Sequence, residues 1–109
     1  MTNVHTTTGT AEYIASYTSS YVLIGRVCIF TVKFTPNQNI STSTGTFGSL
    51  PAPLYPSVFP IGREDNAQYD VSESANRFGR IQILGEYRAN GAFTSGVVYT
   101  FSGAYITAE

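Results

Sequence analysis

The chain has 109 residues, enough for one domain with one core and no stretch left over for a second. Hydrophobic residues make up 42% and charged residues only 12%, about half the usual quarter, and Thr and Ser fill the gap at 25 positions, which favours β-strands with hydroxyl-rich surfaces. The net charge is −1 and the six basic residues are scattered from Arg26 to Arg88, which excludes the clustered positive surface that nucleic-acid binding needs.

Read from the N-terminus, residues 1–9 form a polar segment, flexible or close to a linker, that ends at Gly9. Residues 11–18 alternate, with Tyr13, Ala15 and Tyr17 on one face and Glu12, Ile14 and Ser16 on the other. Tyr21-Val22-Leu23-Ile24 leads into Gly25-Arg26, and the spacing predicts a tight hairpin turn there. From Val27 the period is two. Cys28, Phe30, Val32 and Phe34 share one face, and Val27, Ile29, Thr31 and Lys33 the other, which turns polar towards its end. The lone Cys28 has no intrachain partner and reads as a small buried hydrophobe.

Pro36-Asn37-Gln38-Asn39 predicts a turn. The low-complexity stretch 41–46 reads as a strand rather than a linker, because Thr42, Thr44 and Thr46 alternate directly into Phe47. Pro51, Pro53 and Pro56 then forbid both a helix and a central strand. The chain must cross the domain there as a stiff extended connection, with Leu50, Leu54 and Tyr55 available to pin it. Strand character resumes at 57–62, and Pro60 marks an edge or a strand end. Arg63-Glu64-Asp65-Asn66 reads as a polar turn, 68–72 as a short strand, and Asn76-Arg77-Phe78-Gly79 as a turn before a strand over 80–84. Gly85 and Asn90-Gly91 punctuate the next hairpin, and two strands at 97–101 and 105–107 close the domain around Gly103. Eight to ten short strands at this turn spacing, with no helix and no fixed repeat, predict a single all-β domain over residues 1–109, an antiparallel β-sandwich. The aromatics Phe30, Phe34, Phe47, Phe59 and Phe101 are assigned to the core or a subunit interface.

Catalytic patterns are missing. The only imidazole, His5, lies in the polar N-terminal segment without an evident nucleophile beside it. Among the carboxylates Glu64, Asp65, Asp70, Glu73 and Glu86, the adjacent Glu64 and Asp65 are poorly placed as a pair for glycoside hydrolysis, and Glu64-Asp65-Asn66 with Asp70 and Glu73 lacks the residue order of a calcium loop. No metal ligand set, phosphate-cradling loop or cofactor motif is present, and no apolar run approaches the length needed for membrane insertion.

The order of elements over residues 21–107 resembles the receptor-binding head domains of bacteriophage tail fibre and baseplate proteins. The resemblance rests on Ile24-Gly25, the alternating strand 27–34, Gly48-Ser49-Leu50-Pro51, Tyr55-Pro56-Ser57, Gly79-Arg80-Ile81-Gln82-Ile83 and Tyr105-Ile106-Thr107. It implies a jelly-roll-like sandwich that assembles as a homotrimer in the virion, at the tail tip or baseplate. Such a head binds host cell-surface saccharide and contacts other tail proteins. Heads of this kind follow a trimerising stalk, and these 109 residues carry none. Either residue 1 begins a piece of a longer protein, or the domain joins its assembly non-covalently.

A saccharide site needs an aromatic platform beside fixed donors and acceptors, and two polar segments offer both. Arg63, Glu64, Asp65, Asn66 and Tyr69 form one, and Tyr87, Arg88 and Asn90 the other. The same residues also suit ordinary β-turns, and Tyr69 or Tyr87 could belong to the core. Three functions follow from this reading. The first is a non-catalytic saccharide-binding head. The second is a purely structural tail module, and the third is a cellular lectin-like or adhesin domain.

Overall fold

The computed structural model describes residues 3–65, 68–70 and 77–108. Among these residues the regular structure is all β, in two antiparallel sheets. Across the first sheet run β1 (His5–Ala11), β2 (Ile14–Ile24), β3 (Val27–Pro36), β10 (Val98–Ile106), β6 (Gly62–Asp65) and β7 (Gln68–Asp70). The second holds β4 (Ser43–Ser49), β9 (Glu86–Asn90), β8 (Phe78–Ile81) and β5 (Ser57–Pro60). The pairing is nested. β3 pairs β10, β4 pairs β9, β5 pairs β8 and β6 pairs β7, so the chain doubles back as one long hairpin folded into two layers.

β3 follows its predicted alternation. Cys28, Phe30, Val32 and Phe34 are buried, while Val27, Ile29, Thr31 and Lys33 face outward. Gly25, at a φ of 59°, turns β2 into β3 between Ile24 and Val27. The alternation predicted for 11–18 is broken by a bulge in β2 between Ile14 and Ser16. The bulge adds one residue and shifts the phase, so Ile14 enters the core with Ser19 instead of opposing Tyr17.

The stretch 41–46 is largely strand, but not evenly alternating. Gly45, at a φ of 70°, opens an irregularity in the β4–β9 ladder. The buried Thr44 hydroxyl repairs it by accepting from Ala89 N at 3.0 Å and donating to Gly45 O at 2.7 Å. The proline-rich connection crosses from β4 to β5, the two outer strands of the second sheet. Leu50 and Pro53 pin it from within, whereas Leu54 and Tyr55 are exposed. Its backbone is fixed instead by Leu50 N to Gly85 O, Leu54 N to Ile106 O and Ala108 N to Ala52 O. Pro60 ends an edge strand as predicted, and the fully buried Ile61 carries the chain from one sheet to the other.

Three segments differ from their sequence reading. Arg63, Glu64 and Asp65 belong to β6 rather than to a turn, because Arg63 and Glu64 find partners in both β10 and β7 and Asp65 pairs with Gln68 of β7. Phe78 and Gly79 begin β8, which stops at Ile81. The turn after it is closed by Gly85 N donating to Gln82 O, and it leaves Ile83 and Leu84 exposed. β10 is one continuous strand through Gly103, not two.

The sheets are held face to face by aromatic rings lying on strand glycines. Phe59 of β5 sits opposite Gly79 of β8, and its ring covers Gly103 of β10. Phe101 of β10 returns the contact by covering Gly79. A Cβ on Gly79 would stand 2.5 Å from the Phe101 ring, and one on Gly103 2.6 Å from that of Phe59. Phe30 packs against both rings, at centroid distances of 4.9 and 6.0 Å. Elsewhere in the same space Tyr17 meets Phe47 at 5.5 Å, and Phe34 meets Phe47 at 5.2 Å. The result is a β-sandwich-like core. Gly79→Ala should therefore lose about 1–3 kcal/mol of stability in urea unfolding, by overpacking. Ser102→Ala, on the exposed side of β10, should change it by less than about 0.5 kcal/mol. Equal effects at the two positions would contradict the interlock.

Candidate functional site

The structure separates the residues that the sequence had grouped as sites. Tyr87 is a core residue, fully buried on the central strand β9, and is no platform for a ligand. Its ring covers Gly48, its cross-strand partner, and packs edge-on against Phe47 at 5.1 Å and Phe101 at 6.1 Å. Arg88 and Asn90 alternate with the buried Tyr87 and Ala89, which places them on the outer face of the second sheet. Arg88 is there directly opposite Arg80 of β8. Arg63 and Glu64 lie in the other sheet, where Glu64 Oε2 is 3.6 Å from Lys33 Nζ. Asp65 ends β6, and Tyr69 in β7 pairs with Glu64 through the backbone. Asn66 lies outside the described residues. Among the described residues, Arg63 and Glu64 stand in one sheet and Tyr87, Arg88 and Asn90 in the other.

Another set does converge, at the end of the sandwich where β3 finishes and β2 begins. Asn37 N donates to Tyr13 O at 3.1 Å and Asn37 Nδ2 to Glu12 O at 3.1 Å, which ties the 37–43 loop to the start of β2. Asn39 Oδ1 accepts from Ser95 N at 3.0 Å, and Ile40 exchanges two backbone bonds with Phe93 at 2.9 Å each. Gly91 N donates to Thr42 O at 2.8 Å. Between these ties lies a cleft of about 190 Å³, walled by Tyr13, Gln38, Asn39, Ser41, Thr42 and Ser43 over a floor at Ile40. Gln38, Asn39, Ser41 and Thr42 are exposed, and Tyr13 is half-buried.

This composition has a definite chemical use. A half-buried phenol ring offers a flat apolar face with a polar tip. Amides and hydroxyls offer donors and acceptors in both senses. No charged side chain lines the cleft, so it suits a neutral polar ligand with one apolar face. Its volume is that of roughly six water molecules at ~30 Å³ each and it opens to solvent, so it has room for about one ring of a ligand that extends beyond it. Because the loop is tied at five points to other elements, little ordering entropy remains to be lost on binding. Sequence reading missed this set because residue 13 and residues 38–43 meet only through the fold. The Pro-Asn-Gln-Asn turn was the one local sign of it.

No protein-family model matches the chain, and neither does any curated protein or solved structure.

Burial gives Tyr87 a measurable signature. It pushes the phenol up to about 12, and the neighbouring Ser19 hydroxyl offsets part of the rise without a hydrogen bond of good geometry. Tyr105, whose hydroxyl donates to Pro51 O at 2.7 Å, is also raised, again chiefly by burial. Unfolded tyrosine ionises near ~10. A raised pKa in the fold means that the native state holds its protons longer, so this contribution to stability is intact below ~10 and is lost as pH rises towards 12. In an alkaline titration, ultraviolet absorbance should show Tyr87 and Tyr105 ionising only as circular dichroism reports unfolding. Ionisation of all eight tyrosines near ~10 with the fold intact would refute the buried placement.

Proposed function

We propose that the chain is a non-catalytic receptor-binding head of a bacteriophage tail. In this reading it sits in the virion, at the tail tip or baseplate, and works as a trimer. It takes host cell-surface saccharide in the Tyr13 cleft during adsorption. The observation that carries this reading is the cleft itself, one aromatic ring among uncharged amides and hydroxyls on a loop fixed at several points. A pyranose presents an apolar face that would lie on Tyr13 and a rim of hydroxyls that would meet Gln38, Asn39 and Ser41. The nested pairing of β3 with β10 through to β6 with β7 supports the jelly-roll-like reading of the fold, and the element order discussed above supports the tail assignment. The only described imidazole, His5, is stacked on Tyr21 at 4.8 Å, which gives it a packing role on the β1–β2 edge.

A purely structural tail module is the second reading, favoured by the apolar surface at the opposite end of the sandwich. Binding to an array of bacterial surface polysaccharides separates the two. A head should give saturable binding that Tyr13→Ala weakens at least about tenfold, equivalent to ~1.4 kcal/mol, while Arg88→Ala leaves it unchanged. Loss with Arg88→Ala alone would move the site to the outer face of the second sheet. The absence of any saccharide binding would favour the structural module.

A further inference from the structure

The outer face of the four-stranded sheet gathers positive charge that the chain does not neutralise. Strand pairing lines up one row across it, from Thr46 of β4 through Arg88 of β9 and Arg80 of β8 to Val58 of β5. Arg80, exposed, and Arg88, half-buried, are therefore direct cross-strand neighbours on one face, with Cβ atoms roughly 5 Å apart. Like charges directly opposite each other destabilise the pairing.

Neither guanidinium donates to any group among the described residues, and Arg88 Nε is shut off from solvent without a hydrogen-bond partner. The ion pair of Lys33 with Glu64 belongs to the other sheet. Glu86 is the one carboxylate on this face among the described residues, two positions along β9 from Arg88. Gln82 comes between them. Its backbone N donates to Glu86 O at 2.8 Å, and its Nε2 reaches over β9 to Thr46 Oγ1 at 3.4 Å, on the far side of Arg88. The side-chain amide thus crosses β9 between the Glu86 and Arg88 rows, and no ion pair closes there. Beside Arg80 the face dips into a hollow of about 210 Å³ lined by Pro56, Arg80, Gln82 and Ile83. Pro56 and the exposed Ile83 give this hollow an apolar side.

The paired donors select the ligand. One guanidinium fork already fills both oxygens of a carboxylate. A phosphate monoester carries three acceptor oxygens and close to two negative charges at neutral pH, enough to meet two forks at once. The organic group on its fourth oxygen would then lie in the hollow, against Pro56 and Ile83. We propose that Arg80 and Arg88 hold the phosphate of a small phosphate monoester whose organic part occupies this hollow. The site shares no residue with the Tyr13 cleft, so it stands independently of the saccharide reading.

Nitrogen-15 spectra of the whole chain test it, following the arginine Nε–H signals and the backbone amides. The probes are inorganic phosphate and phenyl phosphate, each added at neutral pH and constant ionic strength with sodium chloride as the control. Both should shift Arg80 and Arg88 saturably. Phenyl phosphate should bind at least about fivefold more tightly, because its ring leaves water, and should also move Gln82 and Ile83. Arg80→Gln and Arg88→Gln should each weaken it at least about tenfold. Lys33→Gln removes the same charge from the other sheet and should leave binding unchanged. Arg80→Gln should melt no lower than wild type in chloride, since it removes one of two opposed like charges. Shifts that never saturate, that chloride reproduces, or that Lys33→Gln weakens as much as Arg80→Gln would overturn the proposal. Equal affinity for the two probes would overturn the ester and the hollow, leaving a site for free phosphate.

Discussion

The fold depends on a reciprocal contact in which each sheet supplies a phenylalanine to a glycine of the other. Phe59 fills the space over Gly103, and Phe101 fills the space over Gly79. A glycine in a strand interior ordinarily costs stability, because it has no side chain to pack and loses the most entropy on ordering. Here the missing side chains are the holes that let two layers of large rings close on each other. Phe30, between the two rings, extends the contact along β3. Tyr17 over Gly9 and Tyr87 over Gly48 repeat the device within each sheet, between cross-strand neighbours. Register is thereby over-determined. A slip of one residue in β8 or β10 would drive a side chain into a ring.

A rigid two-layer body frees its surfaces to differ, and they do. At one end the chain places Asn, Gln, Ser and Thr residues on a loop stapled to the start of β2, with the half-buried Tyr13 among them. At the other end the outward faces of β2, β3 and β10 carry isoleucine and valine into solvent. The first chemistry favours small polar ligands and the second favours protein.

Much of the fold was legible because buried strands impose period two. The stretch from Val27 to Lys33 shows both faces without ambiguity, and three prolines left residues 50–56 no conformation but an extended crossing. The β9 strand was harder to read. Tyr87 and Ala89 alternate with Glu86, Arg88 and Asn90, but five residues between two glycines look the same whether they form a turn or a central strand with a polar outer face. The bulge at Ile14 left no mark that composition could show, because it is set by pairing with Thr35 and Pro36 of β3. The Tyr13 cleft was illegible for a related reason. Its aromatic and its polar groups are some 25 residues apart, joined by hydrogen bonds such as Asn37 Nδ2 to Glu12 O, which spans that separation. Sequence spacing carries no trace of that contact.

The proposed receptor-binding role requires that a saccharide meet the molecule at its Tyr13 end. Amide chemical-shift mapping of the labelled protein, titrated with a host surface polysaccharide, reads this residue by residue. Shifts concentrated at Tyr13 and residues 38–43, with Ile24, Ile29 and Ile106 unmoved, are the predicted result. Shifts confined to the Arg63–Glu64 strand, to the Arg80–Arg88 face or to the apolar corner would contradict it.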